Sequence, residues 1–189
     1  ILANVFDQNV TALAAGLGVG GVAVALASKE SLENLLGSFT IFLDKPFQVG
    51  DIITLGSTTG LVEKVGFRST RLRTFDKSIV TVPNKNLVNA ELDNLGLRPV
   101  RRVKTNIGLI YSTPIEQIKN IVNDIQQLID DHKQTTQDGK VRFLNFGDSS
   151  LDVMVLYFVN SPDWNILVDT QQEINFKIIE IVKKHKSDF

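Results

Sequence analysis

The hydrophobic pattern of this chain changes period as it proceeds. Residues 8–28 carry no charge, and within them 10–28 read VTALAAGLGVGGVAVALAS. At ~1.5 Å per residue a helix of that length spans about 30 Å, the thickness of a bilayer's hydrocarbon core. About 100° per residue sorts the stretch into four stripes. Ala15, Val19, Val22 and Leu26 share one face, and Leu13, Leu17 and Val24 share the opposite one. The two flanks between them are small: Ala14, Gly18, Gly21 and Ala25 on one side, Gly16, Gly20, Ala23 and Ala27 on the other. In water so many glycines disfavour a helix, whereas in lipid small residues let helices approach closely. Two small flanks let an identical helix pack on each side, a heterologous contact that closes into a ring. The stretch therefore reads as one stave of a homo-oligomeric membrane ring, against the plainer alternative of a helix buried in a soluble core. The pattern leaves open which large stripe faces the axis. The Ala15/Val19/Val22/Leu26 stripe grows bulkier toward the charged end, as a tapering neck would.

Charge returns at Lys29 and Glu30, where we expect a kink. Leu32, Leu35, Leu36, Phe39 and Leu43 then repeat at helical spacing, with Glu33, Asn34 and Ser38 off that face. This predicts an amphipathic helix along the inner membrane surface, ended by Asp44-Lys45-Pro46. From Phe47 the period falls to two, and Gly50, Gly60 and Gly66 punctuate short strands through Val82, the pattern of a small antiparallel barrel or sandwich. Residues 84–90 read as a helical turn. After Val100 the order is strand 100–109, helix from Pro114 to about Asp131, strands 141–146 and 151–159, and a long helix opened by Pro162-Asp163. That is a βαββα, ferredoxin-like α+β layer with helices on one face. The reading is a multi-domain membrane protein: 1–28 a spanning helix, 29–45 an interfacial helix, 46–99 an all-β domain, 100–189 the α+β domain.

Composition removes several chemistries. The chain of 189 residues has net charge −1, so there is no overall basic footprint for nucleic acid. With no cysteine, disulfides and thiolate metal sites are excluded. His132 and His185 lie far apart, each near a helix end, and are expected to be solvated there. Carboxylates are scattered, so no enzyme, cofactor or metal site is expected. Gly16-x-Gly18-x-x-Gly21 matches the dinucleotide fingerprint, but helical periodicity runs through it where a strand-to-helix turn is required. A nucleic-acid module is the alternative, with Arg68, Arg71, Arg73, Arg98, Arg101 and Arg102 as candidates. It lacks an aromatic-rich recognition string. The chain begins inside hydrophobic sequence at Ile1 with no basic leader, and we expect further spanning helices upstream.

The Gly/Ala-rich helix, then Ser31-Leu32-Glu33-Asn34-Leu35, then Asp44-Lys45-Pro46-Phe47-Gln48-Val49-Gly50-Asp51, resembles the small-conductance mechanosensitive (MscS-like) channel family. Arg71-Leu72-Arg73-Thr74-Phe75-Asp76 and Val80-Thr81-Val82-Pro83-Asn84 resemble the same family's barrel. The resemblance implies a homoheptamer opened by membrane tension, multi-pass in a bacterial inner membrane, passing ions and small solutes on osmotic downshock. It implies an Sm-like barrel and an α/β domain around a cytoplasmic vestibule. Aligning residues 31–35 places the family's two hydrophobic constrictions at Val22 and Leu26, so the stripe with Ala15 and Val19 lines the pore. The family's kink glycine falls at Glu30, a departure, and Gly37 offers another bend. Lys29, Glu30 and Glu33 fall near the cytoplasmic mouth, where charge biases ion choice. Partners are then other copies of the chain, membrane lipid and permeating ions, with no nucleic acid. The family's closing C-terminal strand is not expected after Phe189.

Overall fold

A computed structural model of the chain describes residues 10–189, with side chains from position 14 onward. Expectations for 1–9 and for the Leu13 side chain lie outside the described residues. The chain divides between Leu97 and Arg98 into two compact units.

The first unit opens with α1 (Val10–Asp44), one uninterrupted helix of 35 residues. The kink expected at 29–31 does not interrupt it. No proline falls there, and a Lys29–Glu33 pair at 3.7 Å bridges the turn. The fingerprint glycines lie inside this helix, so their N–H groups are directed along it and are not offered to a phosphate. Among the described residues no helix is long and apolar enough to cross a membrane.

Five short strands follow: β1 (Ile52–Leu55), β2 (Thr58–Val65), β3 (Ser69–Thr74), β4 (Ile79–Pro83) and, after the short helix α2 (Asn84–Asn89), β5 (Leu92–Asn94). They form one antiparallel sheet in the order β4-β3-β2-β1-β5. Leu55 pairs with Thr58, so the first hairpin turns on two residues, and Gly56 supplies the positive φ of 56° such a turn needs. At Gly60, β2 leaves no room for a side chain; an added Cβ would come 2.8 Å from the Arg73 carbonyl oxygen. Ile53, Val62, Leu72 and Val82 point inward and meet Ile41, Phe47 and Leu87 in a small core. Among the described residues β4 and β5 do not pair with each other, so the sheet ends there and is not a hydrogen-bonded closed barrel.

The second unit runs β6 (Arg101–Leu109), α3 (Ile115–Asp131), β7 (Lys140–Phe146), β8 (Leu151–Val159) and α4 (Trp164–Lys184). Its sheet order is β6-β8-β7, antiparallel throughout. Alternate residues of β8 are buried, the period-two signature of a sheet covered on one face. Ile118, Ile121, Ile125 and Ile129 of α3 and Leu167, Ile174, Ile178 and Val182 of α4 pack on that face. Burial of Tyr157 among them pushes its phenol up to about 12. Asp163 caps α4 by accepting from the Asn165 and Ile166 N–H groups.

The two histidines are not solvated as the sequence suggests. The His132 and His185 side chains are 7% and 17% exposed, each placed just past a helix end where α3 and α4 run antiparallel. His185 Nε2 lies 2.9 Å from an Asp124 oxygen that Lys184 also approaches at 3.0 Å. His132 lies 3.4 Å from Glu173, which also takes a bond from Lys177. Antiparallel packing brings each helix's C-terminal residues against the middle of the other.

Two outcomes are expected. Ile125→Ala should cost about 2–5 kcal/mol of unfolding free energy, because a fully buried side chain leaves a cavity. Ile115→Ala, at an exposed site on the same helix, should stay within about 0.5 kcal/mol. Equal effects in urea titrations would contradict the assigned core face. The His185 and Lys184 bonds hold the Asp124 carboxyl below its usual 3.8. Its contribution is therefore present above that value and lost as pH falls through the lower folded value. Asp124→Asn should lower thermal stability at pH 7 and match the parent at strongly acid pH; a difference that grows with acid would refute the sign.

Candidate functional site

The site is the seat of α1 on its own β unit. The sequence predicts that Leu32, Leu35, Leu36, Phe39 and Leu43 form the apolar face of an amphipathic helix along the inner membrane surface, and the face seated on the β unit is a different one. All five stay exposed, while Asn34, Gly37 and Ile41 are buried. The spacing of 34, 37 and 41 is still helical, so a face does pack, but it is built from an amide, a glycine and a single aliphatic.

Its geometry is specific. The Asn34 side-chain amide donates to the Glu30 carbonyl at 2.9 Å, and its oxygen accepts from the Lys85 backbone N–H at 3.1 Å. That N–H lies in the first turn of α2, which has no intrahelical partner for it. Below the receiving turn Asn84 is wholly buried; its amide donates to the Gly66 carbonyl and its oxygen accepts from the Thr70 hydroxyl, at 2.8 and 2.9 Å. Its backbone N–H donates to the Arg68 carbonyl at 2.9 Å. Gly37 sits directly over this turn. An added Cβ would stand 3.0 Å from Asn84 C and 3.1 Å from Lys85 N. Gly37 thus serves close approach, and α1 continues past it to Asp44.

Charge surrounds the seat. Lys85 Nζ lies 3.0 Å from Glu30 and 3.7 Å from Glu33, which Lys29 approaches at the same distance. Glu30, where the family resemblance expects a glycine, therefore pairs with the β unit. These side chains are mostly exposed, so each pair is worth at most about 1 kcal/mol, and the buried amides weigh more. Beside the seat is a hollow of about 370 Å³ lined by Ala27, Glu30, Ser31, Asn34, Arg68 and Thr81, among others.

Above the seat, the described side chains of α1 stand exposed. Leu17, Val19, Val22, Val24 and Leu26 are 61–78% exposed. An added Cβ at Gly16, Gly18, Gly20 or Gly21 would meet nothing within 4 Å. Ala14, Ala15, Ala23, Ala25 and Ala27 are likewise exposed. The arginines considered for nucleic acid are split between the two units. Arg73 bonds Glu63 and the Lys77 carbonyl, and Arg101 lies 5.5 Å over the Trp164 ring. Among the described residues no group of His, Asp and Glu could hold a metal ion. Sequence reasoning missed Asn34, Asn84 and Lys85 as a unit. The signals were an asparagine off the apolar stripe and another directly after Pro83.

Two family models match the chain: the mechanosensitive ion channel beta-domain over residues 30–97, and the mechanosensitive ion channel MscS C-terminal domain over 103–189. An MscS family protein of Aquifex aeolicus is 43% identical over 183 residues, covering 96% of this chain and 50% of that protein. The small-conductance mechanosensitive channel MscMJ of Methanocaldococcus jannaschii is 41% identical over 93% of this chain and 50% of its own length. The closed-state crystal structure of Helicobacter pylori MscS superposes with a TM-score of 0.79 at 26% identity, covering 96% of this chain and 70% of that one. The chain thus spans about half the length of the curated relatives it matches.

Asn34→Ala leaves the half-buried Lys85 N–H without its acceptor and should weaken the seat by about 1–3 kcal/mol. Hydrogen exchange at the Lys85 amide should accelerate accordingly, with the second unit's core amides unchanged. Gly37→Val should do the same through steric separation. Unchanged Lys85 exchange in both variants would remove the seat as a structural element.

Proposed function

This chain belongs to the mechanosensitive ion channel MscS family, and we propose that it forms part of one subunit of a homo-oligomeric channel opened by membrane tension. The carrying observation is the division of α1. Its lower half is hydrogen-bonded onto the β unit, and its upper half exposes apolar residues on every side. Such a surface needs lipid or other copies of itself. The open Gly16/Gly20 and Gly18/Gly21 flanks, with Ala14, Ala23, Ala25 and Ala27, are where neighbouring staves pack, in a heptamer by family analogy. In this reading residues 1–28 line the pore and residues 29–45 lie at the inner interface, with the β and α+β units in the cytoplasm.

Val22 and Leu26 form the neck, with Ala15 and Val19 above it. A narrow apolar ring empties of water and so blocks ions without any catalytic group. Tension favours whichever state has the larger in-plane area, and shifts the closed–open equilibrium toward it. A seated lower half gives the moving upper half a fixed base. Lys29, Glu30 and Glu33 surround the mouth, and their pairing with one another and with Lys85 leaves little unbalanced charge to select ions there.

Patch-clamp recording of the full-length protein in liposomes under suction tests this directly. Val22→Ser should wet the neck and lower the opening tension, whereas Val24→Ser should affect packing or insertion. Residues 1–189 contain no cysteine, so single cysteines placed at 22, 24 and 26 are the reporters within them. A charged thiol reagent applied to the open channel should block at positions 22 and 26 and spare 24. Block at 24 with none at 22 would show that the helix is turned the other way. Channels indifferent to suction would end the tension reading.

A further inference from the structure

The helix-free face of the second unit's sheet has a composition that neither its own packing nor the channel reading uses. Register fixes which side chains share it. Across the strands, Arg102 lies opposite Phe158, Lys104 opposite Leu156 and Asn106 opposite Met154. From the other edge, Lys140 lies opposite Leu156 and Arg142 opposite Met154. The result is a half-buried apolar stripe, Met154-Leu156-Phe158, along the central strand, with exposed cations on both margins. Among the described residues none of Arg102, Lys104, Lys140 and Arg142 has a carboxylate within 4.0 Å, whereas Lys119, Lys177 and Lys184 in the same unit are paired. Arg142 donates to its neighbour's carbonyl, Val141 O. The one acid on this face, Asp152, accepts from the Ser150 hydroxyl. The unit as a whole carries as many acidic as basic side chains, so these cations are segregated and not merely part of an excess.

We propose that this face is a docking surface for an amphipathic helix of another protein, apolar along one stripe and acidic on both flanks. Charge complementarity selects the acids, and their placement follows from dimensions. The margins are two strand spacings apart, about 10 Å, which matches the width of a helix. Alternate residues on β8 repeat at about 6.8 Å, close to the ~6 Å rise between helix positions i and i+4. A single-stranded nucleic acid fits less well, because it wants several aromatic platforms and Phe158 is the only one on the face. A single lipid headgroup would engage one margin and leave the other unmatched. Helices α3 and α4 of a second copy are unsuitable, since their apolar faces are already spent on their own core. Docking would add a second helical layer to a sheet that has helices on one face only.

The test uses the full chain with Asn106→Cys on the exposed face, labelled with an environment-sensitive fluorophore. The probe is a synthetic helix of about 18 residues, about 27 Å long, with leucines on one face and glutamates on both flanks. We expect a saturable change at the label that weakens as salt is raised. The Lys104→Glu/Lys140→Glu variant should bind at least tenfold more weakly, and should instead bind the same helix with lysines in place of glutamates. A label at Asn123→Cys, on the exposed side of α3, should not respond. The proposal is overturned if the double variant binds the acidic helix as the parent does. It is also overturned if a scrambled peptide of equal composition binds equally well, or if the face label is unresponsive. Tighter, Lys104-dependent binding of oligo-dT or of phosphatidylglycerol vesicles overturns it in favour of those partners.

Discussion

The first unit depends on two buried side-chain amides acting in series. Asn84 ties the start of α2 to the β2–β3 turn, and Asn34 ties α1 to the same short helix through the Lys85 N–H. A buried polar group is expensive when unsatisfied, so each bond fixes position more sharply than an aliphatic contact would. Gly37 makes the bonds possible by bringing the backbone of α1 within van der Waals contact of the turn. The helix is thereby registered on the sheet in both rotation and translation.

That registration decides which stripe of α1 meets the sheet. An aliphatic face could slide, since dispersion and hydrophobic burial are non-directional. The amide face cannot. Its use against the sheet leaves Leu32, Leu35, Leu36, Phe39 and Leu43 outward and exposed. Glu30 fits the same scheme. Where the family pattern offers a glycine, this chain has a carboxylate that reaches Lys85 and adds a salt-sensitive tether across the same contact.

The second unit is built on different terms. Its core is larger, almost wholly aliphatic, and closed by helices on one side of three strands. Its polar features sit at the periphery: the Asp124–His185 and Glu173–His132 contacts between helices, and the Thr113–Ser187 hydroxyl pair that fastens the segment after α4 beside the start of α3. The opposite sheet face keeps its cations apart from acids that the same unit carries elsewhere.

Much of this was legible in the sequence, for local reasons. Period two and period 3.6 placed the long strands and helices among the described residues, with one continuous α1 where two helices were expected, because alternation and helical stripes follow from backbone geometry alone. The strings Lys45-Pro46-Phe47 and Val82-Pro83-Asn84 identified the family. The uninterrupted run of small and apolar residues before Lys29 defined the helix that the channel reading rests on. What the sequence could not decide were choices between faces and between partners. The stripe of α1 that packs, the burial of the histidines, and the pairing of Glu30 with Lys85 all depend on residues about 50 positions away that only folding brings near. Hydrophobic pattern predicts burial when apolar area is the dominant energy. The contact of α1 with the β unit rests instead on a few directional hydrogen bonds and one missing Cβ, and those terms exist only once the tertiary structure has brought both partners together.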